Sequence, residues 1–263
     1  MAGIDAAWLA AQARQAPRRP RVPFYAGGVQ VGSVEEAFIR KIASLCLSGA
    51  GLQLSKEEHQ PFGWHLLGEP TQALNALAQV LREKGLTGPW RNEQLAVHDP
   101  QGRRVATVER AAVRPLGIAT TAVHLAGRAP DGRHWVQQRA LDKATDPGLW
   151  DTLMGGQVSA ADTLQDALAR ETWEEAGLRL AQLKGIAGGG MLPIRRPGHD
   201  GGGAGYVVED LHWFHATVPE GVVPCNQDGE VAQFQLIDST TLGHWLAQGR
   251  FTLEAALVLV RCL

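Results

Sequence analysis

The sequence of 263 residues lacks long hydrophobic runs and has little excess charge of either sign. No apolar stretch approaches the ~20 residues that a membrane-spanning helix requires. The 25 basic and 27 acidic side chains leave a formal net charge of -2. That balance gives no support to a nucleic-acid binder or a polybasic membrane binder. We therefore expect no nucleic-acid partner and no membrane partner.

Cysteine is also scarce, with three residues at Cys46, Cys225 and Cys262. Their spacing does not match that of a zinc site. A reduced, cytoplasmic setting is the expectation for such a chain. Hydrophobic residues make up 44% and charged residues 20% of the sequence. This composition is typical of a folded globular protein and excludes a largely disordered one.

The first third of the chain has the pattern of a small α+β unit. Residues 1 to about 20, rich in Ala, Arg and Pro, predict a loose arm. The segment "VPFYAGGVQVGSV" predicts two strands around a glycine turn, and Ser33 with Glu36 forms a capping-box pattern that predicts a helix start. An apolar stripe in "TQALNALAQVLREKG" predicts a second helix ending at Gly85. Two strands around the turn "DPQG" complete the unit.

A domain boundary is predicted near Pro115, which divides the chain into residues 1–115 and 116–263. The second part begins with the hairpin pattern "GIATTAVHLAGRAPDGRHWVQQRA". A helix from about Thr163 to Ala176 follows, and then the strands "YVVEDLHWFHATV" and "VAQFQLI" and a final pair of helices. The alternation of strands with helices predicts α/β layers.

Three glutamates are crowded near the end of the helix predicted in the second part. Glu171, Glu174 and Glu175 fall at i, i+3 and i+4, so they share one helix face. Like charges on one face repel each other, and Gly177 places them near the negative end of the helix dipole. Arg170 alone does not balance three carboxylates. A divalent cation that prefers hard oxygen ligands, Mg²⁺ or Mn²⁺, is the simplest compensation.

The segment "GQVSAADTLQDALARETWEEAGL", residues 156–178, resembles the Nudix box. That signature reads Gly, five residues, Glu, seven residues, Arg-Glu, an aliphatic residue, any residue, Glu-Glu, any residue, Gly and an aliphatic residue. The matched positions are Gly156, Arg170, Glu171, Glu174, Glu175, Gly177 and Leu178. Asp162 replaces the first Glu of the signature, and Thr172 replaces the aliphatic residue. A solvated acidic helix face would explain the charges but not this spacing.

The resemblance implies an α/β fold, the Nudix α/β/α sandwich, preceded by a smaller N-terminal α+β domain. It also implies a magnesium-dependent hydrolase that cleaves the phosphoric anhydride bond of a small diphosphate substrate. By position in the box, Glu171, Glu174 and Glu175 would bind the metal, and Gly155 would offer its carbonyl. Arg170 would orient the glutamates, which makes Arg170, Glu171 and Glu174 the candidate catalytic residues.

Several charged residues outside the box are further candidates for binding the metal or the substrate or for catalysis. Glu230, which follows an Asp-Gly turn, is a candidate metal ligand or base, as a later glutamate is in many Nudix enzymes. The alternative for Glu230 is a surface position beside the turn. Arg139 and Lys143 before the box, and Arg195 and Arg196 after it, are candidates for gripping phosphate. Solvated surface charge is the alternative for all four.

Segments such as "LDKATDPGLWDTLMGGQ" and "PCNQDGEVAQF" extend the resemblance to the Nudix proteins described as related to thiamine pyrophosphokinase. These carry an N-terminal domain of unassigned role. The implied substrates are thiamine diphosphate and its oxidised analogues, cut to the monophosphate. ADP-ribose or another nucleoside diphosphate conjugate is the alternative substrate, and a non-catalytic nucleotide sensor is the alternative function.

Two further questions stay open at this point. Residues 1–115 would form a homodimer interface or cover one side of the cleft. Trp150 and Trp213 are candidates for stacking on an aromatic ring, with core packing as the more common alternative for tryptophan.

Overall fold

The computed structural model describes residues 6–46, 52–58 and 61–263. Their contacts divide the chain into two compact units. The first unit comprises Arg14–Thr120 and Ile194–Glu209. The second comprises the residues up to Ala13, Thr121–Pro193 and Asp210–Leu263. The predicted domain boundary at residue 115 stays a prediction.

The helices and strands follow one another in mixed order along the chain. Up to residue 116 they are α1 (Ala6–Gln12), β1 (Arg21–Ala26), β2 (Val29–Glu35), α2 (Glu36–Cys46), β3 (Leu54–Glu57), β4 (Gly63–Leu66), α3 (Pro70–Glu83), β5 (Gln94–His98), β6 (Arg104–Glu109) and α4 (Val113–Leu116). From residue 120 they are β7 (Thr120–Arg128), β8 (His134–Arg139), β9 (Trp150–Asp151), β10 (Met154–Gln157), α5 (Leu164–Ala176), β11 (Lys184–Pro197), β12 (Tyr206–Thr217), β13 (Val231–Ile237), α6 (Ser239–Ala247) and α7 (Leu253–Leu259).

The strands form sheets of four, seven and two strands. The four-stranded sheet has the order β2-β1-β4-β3, with β1 and β4 parallel, and β5 pairs with β6. The seven-stranded sheet has the order β11-β12-β7-β8-β13, with β10 paired to β7 and β9 paired to β8. The β7–β8 hairpin, β12, β13 and α5 confirm the predicted elements. The mixed sheets and helices confirm the predicted α/β fold class.

The first unit has its own apolar core, in which α3 packs against β1, β4 and β6. The predicted stripe on α3 is buried: Leu74, Leu77, Ala78 and Leu81 are each fully inaccessible to solvent. Two main-chain N–H groups at the start of α3 donate to the Glu69 carboxylate, which caps the helix. Gly85, with φ of +65°, follows its end. The predicted helix is therefore confirmed.

Two expectations for the N-terminal part are wrong. Ala6–Gln12 forms α1 where a loose arm was expected, because Leu9 is buried and α1 packs against α7 within the second unit. Ser33 does not cap a helix: it lies in β2, and its hydroxyl accepts a hydrogen bond from Arg21 Nε at 3.1 Å. Helix α2 begins three residues later, at Glu36.

The second unit places α5 against one face of the seven-stranded sheet. Val123 and Leu125 of β7 share an apolar core with Ala167 and Leu168 of α5. This packing fixes the helix that carries the crowded glutamates. Every helix in the described part of the chain is too short or too polar to span a membrane.

Candidate active site

Helix α5 has the ends that its sequence predicts. Thr163 is the N-cap, and its Oγ1 accepts a hydrogen bond from Asp166 N at 3.2 Å. The Asp166 carboxylate accepts in return from Thr163 N at 3.1 Å, which completes a capping box. Gly177 ends the helix with φ of +64°, a left-handed conformation that favours glycine. The helix is therefore a rigid support for the side chains in its last turns.

Arg170 binds three carboxylates at once. Its Nη1 donates to Glu171 Oε1 at 2.8 Å and to Glu174 Oε2 at 3.0 Å. Its Nε and Nη2 donate to Asp162 Oδ2 at 2.9 and 2.7 Å, and Nη2 also donates to Gln157 O at 3.2 Å. Burial opposes the charge on Arg170, but Glu171 and Asp162 outweigh burial and raise the pKa of the guanidinium. Arg170 is therefore charged and bonded to Glu171 and Glu174. The orienting role predicted for Arg170 from its position in the box stays a prediction.

Glu175 is the most deeply buried carboxylate of the three glutamates. Its Oε2 accepts hydrogen bonds from Gly155 N at 2.9 Å and from Gln137 Nε2 at 2.7 Å. Burial, and next the charge of Glu171, raise the pKa of Glu175 to about 8. The Oε1 atom of Gln137 is buried without a hydrogen-bond partner in the described residues. The Glu175 carboxylate thus links α5 to the backbone of β10 and to β8.

The glycine pair Gly155–Gly156 brings the backbone of β10 into direct contact with side chains of the site. A Cβ atom on Gly156 would lie 2.0 Å from the carboxyl carbon of Glu171. A Cβ atom on Gly155 would lie 2.6 Å from the His124 ring. Both distances are far below van der Waals contact, so a side chain at either position would displace the Glu171 carboxylate or the His124 ring.

His124, whose ring lies next to Gly155, belongs to a buried polar network that the sequence did not predict. His124 Nδ1 lies 3.0 Å from Thr152 Oγ1 and 3.4 Å from Asp151 Oδ1. Asp151 accepts from Thr152 N at 2.8 Å and from Thr252 Oγ1 at 3.2 Å. In the sequence, the one indication of this network was His124, a polar residue within the apolar pattern of β7. Its partners come from distant segments, so spacing alone did not reveal it.

Two of the candidates outside the box are brought together. Lys143 Nζ and Glu230 Oε2 form an ion pair, in which 11% of the lysine side chain and 38% of the glutamate side chain are exposed. Arg139 instead donates to Thr145 O from Nε at 3.3 Å and from Nη2 at 3.0 Å. Its Nη1 lies 3.6 Å from Asp151 Oδ2. The catalytic role of Glu230 and the phosphate-binding roles of Lys143 and Arg139 stay predictions.

The other two candidates, Arg195 and Arg196, belong to the first compact unit, near the end of β11. Arg195 Nη1 donates to Glu209 O at 2.6 Å and to Ile194 O at 3.0 Å. The Arg195 guanidinium is therefore hydrogen-bonded to two main-chain carbonyls. The predicted contact of Arg195 and Arg196 with phosphate stays a prediction.

Across residues 6–46, 52–58 and 61–263, no three His, Cys, Asp or Glu side chains converge closely enough to hold a metal ion. The contacts above give the reason: Arg170 occupies oxygens of Glu171 and Glu174, and Glu175 is turned toward Gly155. The metal-ligand roles predicted for these residues therefore stay predictions.

Comparisons with known proteins agree with the box and with the fold around it. The chain is 33% identical over 172 residues to Nudix hydrolase 20, chloroplastic, of Arabidopsis thaliana, covering 64% of this chain and 45% of that protein. It is 25% identical over 255 residues to an uncharacterized protein of Saccharomyces cerevisiae, covering 89% of this chain and 73% of that protein. The chain thus spans about half the length of the plant relatives it matches.

The solved structure of DR0079 from Deinococcus radiodurans is similar in fold. It gives a TM-score of 0.51 at 18% sequence identity and covers 64% of this chain and 98% of that one. The model of the NUDIX domain matches residues 118–255, which is more than half of the chain and includes the whole box. Members of that family generally use divalent metals. This chain therefore belongs to the NUDIX domain family.

Proposed function

We propose that this protein is a divalent-metal-dependent pyrophosphohydrolase that cleaves the phosphoric anhydride bond of a diphosphate-linked metabolite. One observation carries the proposal: Glu171, Glu174 and Glu175 lie together at one end of α5. Arg170 donates to Glu171 and Glu174, and Gly155 N of β10 donates to Glu175. Like charges on one helix face repel each other, and a bound divalent cation would offset that repulsion.

The donor atoms of these residues are of the type that suits a divalent cation, which would compete with Arg170 and Gly155 N for the glutamate oxygens. The three glutamates and the Gly155 carbonyl are hard oxygen donors, the type that Mg²⁺ and Mn²⁺ prefer. The missing side chains of the glycine pair leave the backbone close to the carboxylates. The buried, unpartnered Oε1 of Gln137 adds a polar atom in the described part of the same site. A metal held here would neutralise the diphosphate and lower the pKa of a bound water.

The protein's own side chains would orient the substrate and take up the proton. Glu174 is the most exposed of the three glutamates, with 41% of its side chain accessible, and it is our candidate to accept the proton of the attacking water. Lys143 would bind a substrate phosphate. Because Lys143 is now paired with Glu230, phosphate would compete for the ammonium group and release the Glu230 carboxylate for a second proton-accepting role.

For the substrate we propose thiamine diphosphate or its oxidised analogues, cut to the monophosphate. The resemblance to the thiamine pyrophosphokinase-related Nudix proteins supports this choice. ADP-ribose or another nucleoside diphosphate conjugate is the second candidate, because the box recognises the diphosphate and not the group attached to it. Residues 1–115 would then be a domain that covers the cleft or forms a homodimer interface.

A substrate panel tests this proposal. Thiamine diphosphate, its oxidised analogues and ADP-ribose are incubated with the purified protein and Mg²⁺, Mn²⁺ or EDTA, and the monophosphate products are measured by chromatography. We expect metal-dependent hydrolysis that Glu174→Gln reduces by about 10²–10⁴-fold, the usual contribution of a general base. Glu220→Gln, at an exposed position of the same unit, should retain full activity.

The outcomes separate the alternatives. Hydrolysis of ADP-ribose without turnover of any thiamine compound would replace the first-choice substrate. A folded protein with no metal-stimulated hydrolysis across the panel would favour a nucleotide sensor over an enzyme.

A further inference from the structure

A cavity lies in the same compact unit as the box, but on the opposite face of the seven-stranded sheet. Its volume is about 370 Å³, and Trp213 and His215 of β12 line it. Phe214, between them, packs against the core that includes Leu168 of α5. Since side chains alternate along a strand, Trp213 and His215 face away from α5. We call this cavity the Trp213 pocket; it is separate from the box carboxylates.

The rim of the Trp213 pocket is cationic. Arg128, at the end of β7, and Arg261, after α7, both line it, and the described lining contains no carboxylate. Arg261 Nη1 donates to Leu257 O at 2.5 Å, so the last turn of α7 anchors this guanidinium. Burial raises the pKa of the Cys262 thiol, and the charge of Arg128 opposes that shift, because Arg128 lies beside it. Two positive charges therefore stand at the pocket without a lining residue that neutralises them.

The wall of the pocket is aromatic and fixed in place. Trp213 is 8% exposed, and a Cβ atom on Gly189 of β11 would lie 2.3 Å from its ring. The backbone of β11 therefore covers the ring on that side, which only glycine permits. The His215 ring lies 6.2 Å from the Trp213 ring, tilted by 49°. The indole and the imidazole together offer aromatic surface next to the two arginines.

We propose that the Trp213 pocket binds a small aromatic anion of the nucleoside monophosphate class. Guanidinium groups bind phosphate through two parallel hydrogen bonds, and indole and imidazole rings stack on heteroaromatic bases. The volume falls within the range of about 300–1,000 Å³ typical of small-molecule sites. This ligand site is independent of the hydrolytic activity proposed for the box.

AMP is the probe for this site, with adenosine and ribose 5-phosphate as its two halves. Calorimetry is carried out in EDTA, so that a metal-dependent contact with the box does not contribute. AMP should bind. Adenosine should bind at least about tenfold more weakly, because it lacks the phosphate and one charge-assisted hydrogen bond corresponds to about a tenfold or larger change in affinity. Ribose 5-phosphate should also bind more weakly than AMP, because it lacks the base that stacks on the aromatic rings.

A double variant locates the site. Arg128→Gln with Arg261→Gln should weaken AMP binding by about tenfold or more. Both side chains are exposed, so the variant should keep the thermal unfolding temperature of the wild type. Arg133→Gln removes an exposed arginine that pairs with Asp131 and does not line the pocket; it should bind AMP like the wild type. Glu174→Gln should also bind AMP normally.

Cysteine labelling gives a local readout. Cys262 lines the pocket, so saturating AMP should slow its alkylation, measured by peptide mass spectrometry, and leave the exposed Cys225 unchanged. The proposal would be overturned if the wild type and the double variant bound AMP equally well. It would also be overturned if AMP did not slow the alkylation of Cys262, or if the protein did not bind AMP at millimolar concentration.

Discussion

At the scale of single residues, the fold changes the pKa of the Glu175 carboxyl group. Burial moves its pKa from about 4.5 to about 8. The folded, metal-free protein therefore holds a proton that the unfolded chain releases near pH 4.5. Between these values the folded state binds more protons, so the free energy of unfolding should fall as the pH rises, by up to about 1.4 kcal/mol per pH unit.

Glu175→Gln should remove most of this pH dependence. The amide carries no charge at any pH, so the buried position no longer has to give up a proton. Urea unfolding in EDTA, followed from about pH 5 to pH 9, measures the slope for the wild type, Glu175→Gln and the exposed control Glu220→Gln. Identical slopes for all three proteins would show that Glu175 titrates as an ordinary carboxyl group.

The spacing of the box allowed much of the residue-level site to be predicted. It gave the pair Arg170–Glu174 and the helix stop at Gly177, which the structure contains. It did not give the partner of Asp162, whose shorter side chain still reaches two nitrogens of Arg170. Thr172, in place of an aliphatic residue, is fully buried, and its hydroxyl donates to Leu168 O at 2.5 Å. Such contacts depend on exact positions that spacing does not encode.

At the scale of elements, the site depends on the close approach of β10 to α5. The Glu171 carboxylate occupies the space where a Cβ atom on Gly156 would lie. The methyl group of an alanine at position 156 would displace the end of the Glu171 side chain and leave β10 and α5 in place. Function is therefore more sensitive than stability at this contact.

Gly156→Ala should reduce hydrolysis by about 100-fold, because a shift of the order of 1 Å at a catalytic group has effects of this size. The free energy of unfolding should fall by no more than about 1–3 kcal/mol. Gly188→Ala is the matched control in strand β11, where a Cβ atom meets nothing within 4 Å. Steady-state rates and urea unfolding are measured for both variants, and equal rates would contradict the proposed contact.

Long elements were predictable because their periodicity is strong: α3 and α5 each bury a continuous stripe. Short strands were not predictable from the sequence. Strands β3, β4, β9 and β10 contain two to four residues, too few to show alternation. Strand β11 is rich in glycine, which is depleted in strands, so its sequence did not indicate a strand. These strands form through their partners in the sheets.

At the scale of the whole molecule, the second compact unit holds both the box and the Trp213 pocket, on opposite faces of one sheet. The first unit has a separate apolar core around α3. The similarity to the yeast protein extends over 89% of this chain and therefore reaches into this unit. Periodicity predicted longer elements of this unit such as α3, but the role of the unit depends on surfaces that periodicity does not describe.

Calorimetric titration of the purified protein with Mn²⁺ tests whether the glutamates of α5 form a metal site. The crowded carboxylates of α5 should bind the ion, and Glu171→Gln and Glu174→Gln should each weaken that binding by about tenfold or more, since each removes a charged oxygen ligand. Glu220→Gln should bind like the wild type. A folded wild-type protein that binds no Mn²⁺, or that binds it equally well without Glu171 or Glu174, would contradict the metal site.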